Sequence, residues 1–226
     1  MIGRDVTFAV VFDLDGLLAD TEPLWSESSD LLLRRRGHRF DIALKPHVMG
    51  RHPLEVARLF VQRYGLDDEP TALHEERLEI LRELYATREI PAKPGALVLV
   101  RALAARETPM AVASGSPSAI LRLVADRLGL EQVAVRVGSD DVQRGKPAPD
   151  LFLLAAVRLG VAPERCVVLE DAIAGVDAAR AAGMRVVAVP SPETPRERVA
   201  HADLVVDSLV ELDPERLAGV VSRRGA

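Results

Sequence analysis

The chain has 226 residues, of which 48% are hydrophobic and 28% are charged, and its formal net charge is −5. This composition is that of a globular protein with a sizeable core, and it lacks the basic excess of a nucleic-acid-binding domain. The lone cysteine, Cys166, excludes an intrachain disulfide and lies in an apolar run, which favours an inert core thiol.

No signal-peptide pattern opens the chain, and no apolar run reaches the roughly 18 residues that a membrane-spanning helix needs. We therefore expect a cytoplasmic protein that works without a membrane or nucleic-acid partner. Nothing in the sequence requires more than a monomer.

The first predicted strand, residues 7–12, is followed at once by Asp13, Asp15 and Gly16. The run is apolar and β-prone, as expected of a strand covered on both faces. Two carboxylates this close repel each other, and they are better tolerated if one binds a cation and the other carries a proton. The pair suits phosphoryl transfer, in which one carboxylate attacks phosphorus, the other handles the leaving group and Mg²⁺ offsets charge.

Residues 21–90 contain no convincing strand and predict an inserted, all-helical domain. The entry at 19–23 and the Pro- and Gly-containing exit at 91–95 both lie beside the proposed site. We therefore expect a mobile cap that opens and closes over the site, and a rigid helical decoration is the alternative. The helical patterns of the cap cover residues 23–36, 53–64 and 71–87.

Residues 1–20 and 91–226 form the predicted core, in which strands alternate with helices. This alternation predicts an α/β fold with a Rossmann-like parallel sheet and helices on both faces. The predicted strands after the first are 109–113, 133–138, 166–169, 185–189 and a weaker 204–206. The predicted helices are 96–106, 118–128, 149–159, 174–182, 195–200 and 208–221.

Ligands of open α/β sheets bind at the carboxyl ends of the strands. In this chain, polar residues follow the predicted strands at those ends. Ser114 offers a hydroxyl and, with the next backbone N–H groups, a cradle for phosphate. Lys146 offers a mobile cation, and Glu170 with Asp171 offers the oxygen ligands that Mg²⁺ prefers. Taken singly, Ser114 fits a helix cap and Lys146 fits a surface lysine better than either fits a phosphate site. The Glu170-Asp171 pair fits a helix cap or a solvated turn as well as it fits a metal site. Their arrival in order, each after a strand, favours a phosphate site.

The chain resembles the haloacid dehalogenase superfamily of aspartate-nucleophile phosphohydrolases, in its β-phosphoglucomutase-like branch with a helical cap. The resemblance spans nearly the whole chain, and only the cap, about residues 22–90, matches loosely. The matching segments are Asp13-Leu14-Asp15-Gly16-Leu17-Leu18-Ala19-Asp20-Thr21-Glu22, Ser114-Gly115-Ser116, Gly145-Lys146-Pro147-Ala148-Pro149-Asp150, Glu170-Asp171, Gly175 and Ala181-Ala182-Gly183-Met184.

The resemblance implies that Asp13 is the nucleophile and forms an aspartyl-phosphate. Asp15 would be the general acid for the leaving alcohol and then the base for the attacking water. Mg²⁺ would be held by the Asp13 carboxylate, the Asp15 backbone carbonyl and Asp171, with Glu170 close by. The phosphoryl group would be held by Ser114, Gly115, Ser116 and Lys146.

Within the family, the residues favour a phosphatase acting on small phosphorylated metabolites, in particular sugar phosphates. Asp15 argues against a dehalogenase, which lacks the second aspartate. A phosphonatase needs a cap lysine, and only Lys45 and the linker residue Lys93 are available. The alternative is a phosphohexomutase, whose branch places a histidine where this chain has Trp25. The segment around Trp25 and the turn at 190–193 resemble the sugar-phosphate phosphatases, including those acting on 2-deoxyglucose 6-phosphate.

The substrate-facing residues of the cap are the least specific part of the sequence. Glu22 lies at the expected hinge, and Trp25 is interpreted either as a substrate contact or as ordinary cap–core packing. Arg51 is a candidate for the cap's contact with a sugar hydroxyl or a distal phosphate of the substrate, and a solvated side chain is the alternative. His47 and His52 have no ligand cluster around them, so we expect surface residues.

A non-enzymatic phospho-acceptor module is a third hypothesis, because receiver domains also place aspartates at the ends of parallel strands. The helical insertion and the paired Asp13 and Asp15 argue against this class.

Overall fold

The computed structural model describes residues 8–48, 53–192 and 194–222. Its centre is a six-stranded sheet in which every neighbouring pair is parallel, as predicted, with the order β3-β2-β1-β4-β5-β6. Since β1 pairs with both β2 and β4, the end of β1 lies at the middle of the sheet edge. The strands are β1 Ala9–Phe12, β2 Met110–Ala113, β3 Val135–Val137, β4 Cys166–Glu170, β5 Arg185–Ala188 and β6 Leu204–Val205.

Helices cover both faces of the sheet, and alternate residues of β1 point to opposite faces. Val10 and Phe12 belong to one apolar cluster, together with α5, α6 and α9. Ala9 and Val11 belong to the other cluster, together with α7 and α8. These core helices are α5 Ala96–Ala104, α6 Ser118–Arg127, α7 Asp150–Leu159, α8 Ile173–Ala181 and α9 Pro214–Ser222.

The inserted cap between β1 and α5 is helical, as predicted. Helix α1 packs against α4, and α3 also packs against α4. Buried cap residues such as Leu24, Phe60 and Tyr85 belong to the same apolar cluster as Phe12 of the sheet. The cap helices are α1 Glu22–Arg34, α2 Lys45–Val48, α3 Pro53–Tyr64 and α4 Pro70–Thr87, with a 3₁₀ turn at Ile42–Leu44.

The structure differs from the predicted elements mainly near the end of the chain. The predicted helix at 195–200 is a 3₁₀ turn, Arg196–Val199. The predicted helix at 208–221 is divided into a 3₁₀ turn, Leu209–Glu211, and α9. The division falls before Pro214, because the helical conformation is sterically disfavoured for the residue that precedes a proline. The start of the first predicted strand, Thr7, lies outside the described residues.

Helix α2 and the turn Ile42–Leu44 were not predicted, because each is too short to carry a helical period. Within the described ranges, none of the helices combines the length and the apolar character needed to cross a membrane.

Candidate active site

The loop after β1 brings the two aspartates to the centre of the sheet edge. The backbone N–H of Asp13 still donates to the carbonyl of Leu169 on β4, at 3.0 Å. Gly16 then turns the chain with φ +86°, and a Cβ there would lie 2.3 Å from Oδ2 of Asp171. Residue 16 must therefore be glycine both for its backbone angle and for the close approach of a carboxylate.

Lys146 lies between two buried carboxylates from neighbouring strands. Its Nζ atom is 2.5 Å from Oδ1 of Asp13 and 2.5 Å from Oε1 of Glu170, and it also donates to the carbonyl of Ala113 at 3.3 Å. Burial alone would lower the pKa of Lys146, but the charges of Asp13 and Glu170 outweigh it and raise the pKa above its ordinary value. The amine is thus held as a cation against Asp13.

Asp13, Glu170 and Asp171 form a buried acidic cluster, with one carboxylate oxygen of each within 4.8 Å of the others. Burial raises the pKa of Asp13 and of Asp171 well above the ordinary value, and the neighbouring carboxylates add to this effect. Lys146 offsets only one of the three negative charges. An all-oxygen donor set with excess negative charge fits a hard divalent cation, so these residues could hold a metal ion.

The Glu170 carboxylate is oriented from two sides. Its Oε2 atom accepts from the backbone N–H groups of Asp171 at 3.0 Å and Ala172 at 3.1 Å. Its Oε1 atom faces Lys146. Gly175, on the first turn of α8, leaves the space that this carboxylate occupies.

Asp15 accepts four hydrogen bonds from side chains. Its Oδ1 atom accepts from Thr21 Oγ1 at 2.7 Å and from the indole Nε1 of Trp25 at 3.1 Å. Its Oδ2 atom accepts from Ser114 Oγ at 2.9 Å and from Ser116 Oγ at 2.7 Å. The core supplies the donors on one oxygen, and the start of the cap supplies those on the other.

The two serines after β2 donate hydrogen bonds to Asp15, and one of them also lines the cavity. Ser114 is fully buried, and its hydroxyl accepts from the backbone N–H of Ser116 at 2.9 Å. Gly115 and Ser116, but not Ser114, line the cavity under the cap. The structure therefore brings Ser114 and Ser116 into contact with Asp15, with the Ser114 hydroxyl engaged by the protein itself.

The cavity lies between the sheet edge and the cap. On the core side it is lined by Asp13, Asp15, Lys146 and the acidic cluster, which lie together as the sequence predicts. Of the predicted cap residues, Glu22 and Trp25 line it, and Arg51 and His52 lie outside the described residues. The cap also contributes eight further residues that the sequence analysis did not single out as substrate contacts: Ser26, Ser29, Phe40, Lys45, Val48, Pro53, Val56 and Arg77.

Arg77 is a buried charged residue of the cap. It is only 6% exposed, and among the described residues its Nε atom has no hydrogen-bond partner. Burial lowers its pKa to about 10. A sequence signal was present, because Leu73, Arg77 and Leu81 recur every four residues on the buried side of α4. The many charges of this helix masked that signal.

The chain matches the family model described as haloacid dehalogenase-like hydrolase over residues 9–183. (DL)-glycerol-3-phosphatase 2 of Arabidopsis thaliana is 38% identical over 222 residues, which cover 94% of this chain and 92% of that protein. Fructose-1-phosphate phosphatase YqaB of Escherichia coli (strain K12) is 39% identical over 182 residues, which cover 80% and 95%. The crystal structure of beta-phosphoglucomutase (pgmB) from Clostridium difficile has a TM-score of 0.83 and 26% identity, covering 94% of this chain and 96% of that one.

Proposed function

Because the chain belongs to the haloacid dehalogenase-like hydrolases and is a phosphoric monoester hydrolase, we propose a specific reaction for it. It hydrolyses small phosphorylated metabolites, sugar or polyol phosphates, with Mg²⁺ and through an aspartyl-phosphate on Asp13. The observation that carries the proposal is the buried Asp13 carboxylate, paired with Lys146 beside the acidic cluster and open to the cavity under the cap. The cap corresponds to residues 21–90.

Asp13 is the nucleophile in this reaction. One of its carboxylate oxygens attacks phosphorus, and the bond from phosphorus to the alcohol oxygen breaks. Lys146 offsets charge on the nucleophile and on the phosphoryl group, since its Nζ already contacts Asp13. Asp13, Asp171 and the Asp15 backbone carbonyl, with Glu170 close by, would hold Mg²⁺, which would offset the remaining negative charge.

Asp15 moves the protons. As a carboxylic acid it donates its proton to the departing alcohol oxygen, and as a carboxylate it then takes a proton from the water that attacks the aspartyl-phosphate. Gly115 and Ser116 line the cavity beside Asp15 and supply donors to the phosphoryl oxygens, while the Ser114 hydroxyl holds the Asp15 carboxylate. Closure of the cap excludes bulk water and lets contacts from the lining residues Glu22 and Trp25 align the substrate.

A phosphohexomutase is the second candidate, because the fold is also that of a beta-phosphoglucomutase. The two reactions share the aspartyl-phosphate and differ in whether water or a second sugar hydroxyl accepts the phosphoryl group. Hydrolysis is favoured by the two phosphatase relatives, which are 38% and 39% identical to this chain.

The test is a panel of phosphorylated metabolites scored by kcat/KM, including glycerol 3-phosphate, fructose 1-phosphate, hexitol phosphates and glucose 1-phosphate. We expect phosphate release that requires Mg²⁺ and is abolished by chelator and by Asp13→Asn. Conversion of glucose 1-phosphate to the 6-phosphate in excess of phosphate release would establish the mutase instead. Absence of both products across the panel would overturn the proposal.

A further inference from the structure

We infer that Phe152 is a positioning residue for Lys146, whose ring face supports the ammonium group while that group exchanges hydrogen-bond partners during the reaction. The inference rests on the proposed function, in which Lys146 serves both the nucleophile and the phosphoryl group. The observation that carries it is the Nζ atom of Lys146, which lies over the Phe152 ring at 5.0 Å from the centroid. The ring itself is fully buried and does not line the cavity, so its part in the site is indirect.

The ammonium group of Lys146 has three hydrogens, and contacts within the protein use all of them. Two hydrogens go to the carboxylates of Asp13 and Glu170, at 2.5 Å each, and the third goes to the Ala113 carbonyl at 3.3 Å. Lys146 can therefore bind a phosphoryl oxygen only by giving up or sharing one of these bonds. The bond to Ala113 is the longest and has the uncharged acceptor, so it costs least to exchange.

The ring of Phe152 offers a contact that this exchange does not disturb. A cation within about 6 Å of a ring centroid is attracted by the negative face of the ring, wherever its N–H bonds point. The ammonium group can therefore turn one hydrogen from Ala113 toward a phosphoryl oxygen and keep this attraction. Only 6% of the Lys146 side chain and none of Phe152 is exposed, so water weakens the contact little.

The fold holds the ring and the lysine together on one short segment. Phe152 lies in the first turn of α7 and packs in the same apolar cluster as Ala113 of β2. The Nε and Nη2 atoms of Arg144 donate to the two carboxylate oxygens of Asp150, at 3.1 and 2.9 Å. This paired contact closes the loop that carries Lys146 onto the first residue of α7. The ring is thus fixed by the core, and the lysine is placed against it.

The kinetic test replaces Phe152 with phenylalanine that carries one, two or three ring fluorines. Fluorine draws electron density from the ring face and changes the ring volume little. With the best substrate of the panel we expect kcat/KM to fall with each fluorine, by about 3- to 30-fold at three. Phe12 is the matched control, because its ring is equally buried but packs in the apolar cluster on the opposite face of the sheet. A flat series at Phe152, or equal slopes at the two positions, would overturn the inference.

The second test does not need activity, because the chain has only three lysines, Lys45, Lys93 and Lys146. In protein labelled with ¹³C-lysine, we expect the ring face to shift the ε-methylene proton signal of Lys146 upfield of the Lys93 signal. Phe152→Leu should remove this shift and leave Lys93 unchanged. Asp126→Asn, which changes an exposed carboxylate that pairs with Arg136, should leave all three signals unchanged.

The two tests separate this inference from the proposed function. A Lys146 signal without the upfield shift in the wild-type protein would overturn the inference even if the phosphatase is confirmed. A shifted signal in a protein without phosphatase activity would leave the contact established and defeat the proposed function alone.

Discussion

Gly175 and Glu170 approach each other so closely that a Cβ on residue 175 would lie 1.8 Å from Oε1 of Glu170. The glycine is on the first turn of α8, and the carboxylate is at the end of β4. The oxygen concerned is the one that faces Lys146. The packing of a helix against a strand end therefore determines where the lysine beside Asp13 is placed.

Gly175→Ala should accordingly lower kcat/KM by about tenfold or more, because the methyl group displaces Glu170 and with it Lys146. Steady-state kinetics on the best substrate measures the effect. Gly219→Ala in α9 is the matched control, since among the described residues no atom beyond its chain neighbours and the nearby backbone of its own helix lies within 4 Å of the added methyl. That control should retain activity and gain up to about 1 kcal/mol of stability from helix propensity. Equal activity in the two variants would contradict the expectation.

Lys146→Met should abolish activity and reduce the free energy of unfolding by about 3–5 kcal/mol, because it leaves two buried carboxylates without their cation. Urea unfolding at neutral pH without added metal gives the change in stability. Lys93→Met is the comparison, since Lys93 pairs with Asp20 at 3.7 Å in a more exposed setting and should cost about 1 kcal/mol or less. A loss of similar size in both variants would show that burial of the Lys146 pair has no special weight.

A divalent cation should raise the melting temperature of the wild-type protein. The acidic cluster carries more negative charge than Lys146 offsets, and a ligand that binds only the folded state adds about 2.7 kcal/mol at 100 times its Kd. Thermal unfolding with EDTA and then with excess Mg²⁺ measures the gain. Asp171→Asn should lose most of the gain, while Asp126→Asn should keep it. A melting temperature that is insensitive to Mg²⁺ in the wild type would argue against a metal at this cluster.

Asp141 should contribute stability that disappears in acid. Its carboxylate accepts from Arg158 at 2.9 Å, from the Gly138 N–H at 2.9 Å and from Ser118 at 3.1 Å. The bond to Arg158 is the main cause that lowers its pKa to about 2. A lowered pKa means that the folded state binds fewer protons than the unfolded state. The contribution is therefore complete above the ordinary pKa and is lost as the pH falls toward 2.

Urea unfolding of wild type and Asp141→Asn between pH 7 and pH 2 checks this pH dependence. Because Asp141 is partly exposed, we expect a difference of about 1 kcal/mol at pH 7 that shrinks toward zero in acid. A difference that stays constant with pH would show that it arises from packing and not from the charge.

The polar residues at the strand ends could be located from the sequence because a parallel sheet brings all its carboxyl ends to one edge. Asp13 and Asp171 follow the buried strands β1 and β4. Lys146 lies in the loop that follows the edge strand β3, and the structure places all three together. The parallel sheet with helices on both faces was predicted correctly for the same reason, since alternating strands and helices permit few other arrangements.

Contacts that depend on how the cap is oriented could not be predicted in this way. The sequence left Trp25 between packing and stacking, because its bond to Asp15 exists only once α1 lies over the loop after β1. Arg77 was missed since a charged residue on a helix rich in Glu and Arg is expected on the solvent side. For Ser114, the sequence could not show that Asp15 would engage the hydroxyl.

The apolar cluster that runs from the sheet face through α5 and α6 into the cap has a consequence for folding. Residues Leu24, Phe60 and Tyr85 share this cluster with Phe12, so the cap cannot unfold without exposing one side of the core. Cap and core should therefore melt in a single cooperative transition, although they are separate segments of the fold. A cap grafted from a relative onto this core would have to present an apolar surface that matches this cluster. Hydrophobic packing therefore limits which caps, and with them which substrate specificities, this core can accept.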